Sequence, residues 1–449
     1  MNWPSANGPS ANGPVANWPA APVPPVPGAK PAHLAPFNLA FFFASIFLFS
    51  TYGRLSENLA ALAHAPIPLA MIISVICLFG VFLSGGALKR TITSRFGILI
   101  ILYTLWLACT IPFSTWRGGS FKMFNDEWLR SVFGFFIIGA LTLSIAHVRK
   151  SFLVIILSVI SIAAFGLRFG TLIEGRYAFS HGTLGNSNDF GIHVLLVLPM
   201  CVVYLSSRHN LLLRLITLLT AGWIIYRALQ TGSRTCVLMA GAMMVLGFLL
   251  STAAGRIRIL VLTIPLLLVT LVLVPSNLRA RYSTLFSSDA AAEDQSTVSS
   301  AEDSTALRQR LFWYSIRLAA ENPIFGVGMG NFAGESTKES QGSTEKVFWR
   351  AAHNIYGQIA AETGLPGLFL YLSILFVGVR SCWKICRAAR NKPPLAELYL
   401  LAASLLTCQV AYAVSSIFGT STYGFYVPLF TALTCALQRS ALDEVGIRA

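Results

Sequence analysis

Charge is what this chain has least of. Only 11% of its 449 residues are Asp, Glu, Lys or Arg, and the mean hydropathy is +0.66. Soluble domains carry about 25% charged residues, so most of this chain cannot face water. Acids are the scarcer sign, 18 against 33 Lys and Arg. Cysteine is missing from the one long polar stretch. Cys77, Cys109, Cys201, Cys236, Cys382, Cys386, Cys408 and Cys435 lie in apolar segments or short basic loops, so no extracytoplasmic disulfide framework is implied. Cys382 and Cys386 are four apart and can share a helix face, but no His stands near them, so they read as free thiols rather than a metal site. No Asp-x-Asp pair or His/Asp cluster presents itself as a metal site, and no cofactor is called for. The pattern of a secretory signal is also missing. The chain opens instead on a five-residue repeat, Asn2-Trp-Pro-Ser-Ala, Asn7-Gly-Pro-Ser-Ala, Asn12-Gly-Pro-Val-Ala, Asn17-Trp-Pro-Ala-Ala. Proline at that density predicts an extended, disordered tail over 1–36.

What the chain does have is long apolar runs. A transmembrane helix needs about 20 mainly apolar residues, and twelve segments qualify: 37–53, 66–83, 96–114, 128–146, 150–168, 190–206, 211–230, 235–251, 257–275, 354–379, 396–418 and 423–438. The expected fold is an all-α integral membrane protein. Nine spans lie within 37–275, a polar loop over 276–352, three spans within 353–440, and a short tail over 441–449. With the N-terminal tail inside, the inner loops hold Lys89, Arg90 and Arg95; Arg149 and Lys150; Arg208 and Arg214; Arg256 and Arg258; and Arg380 to Lys392. Outer loops are poorer in cations and carry balancing acids, as in Arg54 with Glu57. The net charge of +15 is therefore largely a topology signal and an attraction to anionic lipids, not a nucleic-acid patch. Both termini are expected in the cytoplasm.

Within the polar loop, Ser287 to Ser300 looks flexible. Thr305 to Asn322 then reads as an amphipathic helix, with Leu307, Leu311, Tyr314 and Leu318 recurring at three and four and Arg308, Arg310 and Arg317 between them. Pro323 ends it, and Gly326-Val-Gly-Met-Gly-Asn-Phe332 follows as a tight loop. Its Gly-x-Gly pattern lacks a Rossmann strand, which argues strongly against a dinucleotide site.

The chemistry-bearing residues stand at the ends of spans. His353-Asn354 opens a span, nine residues before Gly364, with Gly367 three further on. A helix N-terminus disfavours the imidazolium, which suits a His that accepts a proton from a hydroxyl. The same His could merely anchor the helix, and position alone leaves both readings open. Arg234, in the short turn Thr231-Gly-Ser-Arg234, could snorkel to water or present its fork to a phosphate. Arg308 and Arg310 offer similar forks or a solvated face. Asn186 and Asn188, before another span, either cap that helix or bind sugar hydroxyls.

These pieces together resemble the O-antigen ligase and polymerase superfamily. The resemblance rests on His353-Asn354-x9-Gly364-x2-Gly367, with the Thr-Gly-Ser-Arg234 turn, the stretch from Arg308 through Pro323 to Phe332 with Gly326 and Gly328, and the Gly-Asn186-Ser-Asn188 loop, in that family's order. It covers about residues 37–440. It implies a type C glycosyltransferase of the bacterial inner membrane that takes a glycan from undecaprenyl pyrophosphate on the periplasmic face, inverting and without metal. The acceptor would be lipid A–core for a ligase, a second lipid-linked glycan for a polymerase, or a protein. His353 would be the base, Arg234 and Arg308 or Arg310 the pyrophosphate ligands, Asn186, Asn188 and Asn354 substrate contacts, and Glu362, Gly364 and Gly367 parts of the motif. One departure is that the family's tryptophan position holds Phe312, with Trp313 beside it, which leaves the choice between the two arginines open. The single long loop favours ligase over polymerase. A twelve-span transporter would instead show internal repeats and ionisable residues at mid-membrane. There is no convincing repeat between halves, and Glu362, the main ionisable exception, belongs to the motif.

Overall fold

The computed structural model describes residues 38–65, 67, 69–84, 86–173, 175–206, 211–253, 255–257, 259, 261, 295–340 and 351–447; for 70, 83, 295–305, 339 and 340 it describes the backbone alone. The tail over 1–36, nearly all of the expected span 257–275, and loop residues 276–294 and 341–350 lie outside the described residues. So does most of the segment expected to be flexible. Its last residues, 295–300, are helical instead, extending the amphipathic helix upstream.

The chain is a helical membrane protein. In order, α1 is Leu39–Tyr52, α2 Leu55–Ala63, α3 Leu69–Leu83, α4 Ala87–Ile92, α5 Arg95–Thr110 and α6 Arg117–Met123. After a π-helical turn, α7 is Arg130–Leu141, then α8 Ile145–Phe169, α9 Ser187–Leu195, α10 Leu198–Ser206, α11 Leu211–Gln230 and α12 Arg234–Leu250. The remaining elements are α13 Gln295–Glu321, α14 Phe332–Ser340, α15 Ile355–Ala389, α16 Ala396–Ser415 and α17 Tyr426–Val445. Among the described residues six helical segments are long and apolar enough to cross a membrane: Arg95–Phe113, Ile145–Phe169, Ser187–Ser206, Leu211–Gln230, Ile355–Ala389 and Pro393–Ser415. A seventh appears if α1 and α2, bent by 63° against each other, count as one span, while Met71–Phe82 and Arg234–Leu250 are apolar but shorter.

Helix α8 shows how these helices are specified. Ser144 caps it by accepting a hydrogen bond from the His147 N–H. Phe152, Ile155, Val159, Ile162 and Gly166 recur at three and four and are buried. On other faces Leu157, Ile160 and Leu167 are exposed, as expected where the solvent is hydrocarbon. One departure from the all-helical expectation lies just beyond it. Gly170–Ile173 (β1) and Arg176–Phe179 (β2) form an antiparallel hairpin, with Ile173 paired to Arg176 across a two-residue turn. Glycine at 175, with φ +72°, closes that turn.

The basic segments assigned above to inner loops meet at one end. Arg149 pairs with Glu397 at 2.9 Å and Arg90 with Asp443 at 3.5 Å. Arg439 donates to the carbonyls of Gly139 and Thr142, both at 2.8 Å. The hairpin and the His353 segment lie at the other ends of α8 and α15, and the 326–332 loop is hydrogen-bonded to Ala361 and Glu362 near the start of α15.

Candidate active site at the start of α15

Each part of the His353-Asn354-x9-Gly364-x2-Gly367 pattern has a separate physical task. Asn354 is the N-cap of α15. Its side-chain oxygen accepts from the Gly357 N–H at 2.8 Å, and its Nδ2 donates to the Ile417 carbonyl at 3.1 Å. The Ile355 N–H donates to the Ser416 carbonyl at 2.9 Å. The helix start is thus tied to the connection between α16 and α17. His353 directly precedes the cap with φ +53°, a left-handed backbone that is uncommon for a residue with a Cβ. Strain of that kind persists where surrounding structure fixes it.

Gly364 breaks α15. Its φ is +71° and ψ 178°, a conformation open essentially to glycine alone, and a Cβ there would strike the carbonyls of Pro323 and Ile324. Pro366, just after the break, offers no N–H to the helix. The carbonyls of Ala361, Glu362 and Thr363 accept instead from the Val327 N–H, the Gly328 N–H and the Trp106 indole, each at 2.9 Å, while the Leu365 N–H donates to the Pro323 carbonyl at 2.8 Å. Gly367 leaves room for Thr363, whose hydroxyl a Cβ would strike, and for the indole, whose Nε1 would lie 3.1 Å away.

Glu362 completes the seal. Fully buried, its carboxylate accepts from the Gly330 N–H (2.9 Å), the Phe332 N–H (3.1 Å), the Gln358 amide (3.0 Å) and the Tyr423 hydroxyl (2.7 Å). It clamps the glycine loop, whose Gly326, Gly328 and Gly330 all have positive φ. Asn331 reinforces the clamp, donating to Ser114 at 2.6 Å and to the Val327 carbonyl at 2.9 Å.

The amphipathic helix α13 lies over the start of α15. Leu311, Leu318, Val327, Phe332, Ala352 and Ala361 form one buried cluster, and Ser315 is packed against Gly357. At 100° per residue, Arg308 falls near Ser315 and Leu311 on this inward face. Arg310 falls with Trp313 and Arg317 on the opposite, exposed face.

Arg234 is the first residue of α12, half-buried behind the Ser233 N-cap. Its turn is bound to the asparagine loop by Arg176, which donates to the Thr231 carbonyl at 2.7 Å and to the Asn188 side-chain oxygen at 2.8 Å. Asn186 caps α9, accepting from the N–H groups of Asn188 and Asp189. Asp189 accepts from Thr420 at 3.0 and 3.2 Å, on the same connection that Asn354 grips. A chain of hydrogen bonds thus links the Arg234 turn, the asparagine loop and the start of α15.

Two of these links escaped the reading of the sequence. Arg176 is hidden in the unexpected hairpin, although a two-residue turn between β-prone residues is a readable signal. Arg54 was read only as a balanced loop charge. It is paired with Glu57 at 3.1 Å, stacks over Phe425, and lines a cavity of about 30 Å³ with Asp189, Ile355 and Thr420. That cavity is large enough for a water. Glu57 in turn accepts from the Thr183 N–H at 2.9 Å and from its hydroxyl. Burial works against the Glu57 charge, but Arg54 and the Thr183 donors outweigh it and hold the carboxyl below its usual range.

Residues 192–372, from α9 to beyond the Gly364 break, match the family model described as O-antigen ligase. No curated protein matches the chain.

Proposed function

We propose, on the premise that residues 192–372 place this chain in the O-antigen ligase/polymerase superfamily, that it is a membrane glycosyltransferase of the ligase type. It takes a glycan from undecaprenyl pyrophosphate at the periplasmic face of the bacterial inner membrane and passes it to an acceptor such as lipid A–core. Apolar length gives the twelve spans of this reading, and the distribution of Lys and Arg puts both termini inside and the His353 end outside. The observation that carries the reading is the packing of the Arg308 face of α13 over the His353–Asn354 start of α15.

In this mechanism His353 accepts the proton of the acceptor hydroxyl. The hydroxyl oxygen bonds to the anomeric carbon as that carbon's bond to the pyrophosphate oxygen breaks, so the configuration inverts. The leaving pyrophosphate keeps the electron pair, and Arg234 and Arg308 offset its charge without a metal. Asn186 and Asn188 hold sugar hydroxyls through their side-chain NH₂ groups, while Asn354, Glu362, Gly364 and Gly367 keep the base and the glycine loop in place.

The test is a gel profile of surface and lipid-linked glycans from cells lacking the protein, rescued by variants. His353→Ala is expected to lower transfer by roughly 100-fold or more with the protein still folded in the membrane; near-normal product removes the base assignment. Arg308→Ala is expected to weaken donor binding by roughly tenfold and Arg310→Ala by far less. Equal effects would sink the assignment by helix face. Acceptors carrying single repeat units in the deletion, instead of bare acceptors beside polymer on the carrier, would make the enzyme a polymerase.

A further inference from the structure

A cavity far larger than the one beside Arg54 lies away from this site. It has a volume of about 980 Å³ between α10, α12 and α16, at the end where Arg149 meets Glu397. Its walls are apolar, with Val202, Met243, Met244 and Leu400 among them, and its mouth is basic, formed by Arg256, Arg390 and Lys392. Among the described residues no Asp or Glu lines it. The sequence makes local neutralisation by α10 to α12 impossible, because no acid occurs from Phe190 to Ser288.

The cations at the mouth differ from others at that end. Arg149, Arg90 and Arg439 are each satisfied within the protein, whereas Arg390 and Lys392 are exposed and have no ion-pair partner among the described residues. Arg256 reaches the Phe248 carbonyl at 3.1 Å and stacks on the Phe248 ring, and Tyr399 caps the Leu250 carbonyl. The carbonyl end of α12 is thereby masked from the mouth. Pro393 and Ala396, at the start of the α16 span, also line it, adding the positive end of a helix dipole.

We propose that this cleft is a binding site for an anionic phospholipid of the cytoplasmic leaflet, with its acyl chains between α10, α12 and α16 and its phosphate on Arg390 and Lys392. Basic pockets between helices on that side suit such headgroups. The leaflet rests on the orientation given under Proposed function; the cleft and its charge do not.

The full chain is purified in detergent, incubated with phosphatidylglycerol or phosphatidylcholine, and analysed for retained lipid by native mass spectrometry. Wild type is expected to retain phosphatidylglycerol in preference. The double variant Arg390→Gln/Lys392→Gln is expected to lose that preference by roughly 30-fold, at about one charge's contribution each. Ala403→Trp, which fills the cleft without touching its charges, is expected to exclude both lipids. Equal retention of the two lipids by wild type, or retention indifferent to the charge variant, overturns the proposal. Retention indifferent to Ala403→Trp does so as well, placing the lipid elsewhere. The assay reads neither transfer nor orientation, so its failure is distinct from failure of the glycosyltransferase reading.

Discussion

The two segments of α15 on either side of Gly364 are built on different rules. In Ile355–Thr363 nearly every residue is buried, including Gln358, Glu362 and Thr363. Beyond the break the buried residues thin to a stripe of Gly367, Tyr371, Ile374, Gly378, Cys382 and Ile385, while Phe369 and Phe376 are 70% and 62% exposed. The second segment is an ordinary membrane helix with one face on protein and the rest on lipid. The first is enclosed by α13, the glycine loop and the α16–α17 connection. Polar side chains are tolerated there because Gln358, Glu362 and Thr363 each make at least one hydrogen bond inside the protein. A helix can therefore carry both a membrane anchor and a site scaffold, provided the backbone is interrupted between them.

Substitutions at three positions probe this contrast, in descending order of effect. Glu362→Ala is expected to cost several kcal/mol, since it strands the Gly330 and Phe332 N–H groups, the Tyr423 hydroxyl and the Gln358 amide, at about 1–3 kcal/mol for each buried group left unpaired. Thermal denaturation in detergent measures it, and a small shift would mean that the enclosure of the first segment does not depend on this carboxylate. Asn354→Ala removes the cap and the grip on Ile417, with an expected loss of about 1–2 kcal/mol. Asn354→Asp, which can still cap Gly357, should recover part of the loss in the same melt. Phe376→Ala, on the lipid side, is expected to stay within about 0.5 kcal/mol. A large loss there would show that protein, not lipid, covers the second segment.

The two segments were also unequally legible in the sequence. Membrane helices declare themselves through apolar length, and the amphipathic period of residues 305–322 placed Leu311 and Leu318 on the buried face now observed. The phase of that same helix separates Arg308 from Arg310 once it is known which face is covered. Glu362 could be noticed but not explained, because its four donors come from residues 330, 332, 358 and 423, and only one is local. The bonds of Arg176 and Asp189 were invisible for the same reason: they join elements that are distant in sequence. A twelve-span count rests on apolar length alone, and several of those segments fold as shorter or bent helices.

The break at Gly364 also bears on the order in which the protein can be built. The three carbonyls it releases are met by Trp106 and by residues 327 and 328, all synthesised before α15 reaches the membrane. The receiving groups therefore precede the helix in order of synthesis, and in the folded protein none of the three carbonyls is left bare. Reversing that order, with the loop supplied after the helix, would ask an interrupted span to enter lipid unsealed. With the long loop before its helix rather than after it, the partners of all three carbonyls precede them in the chain.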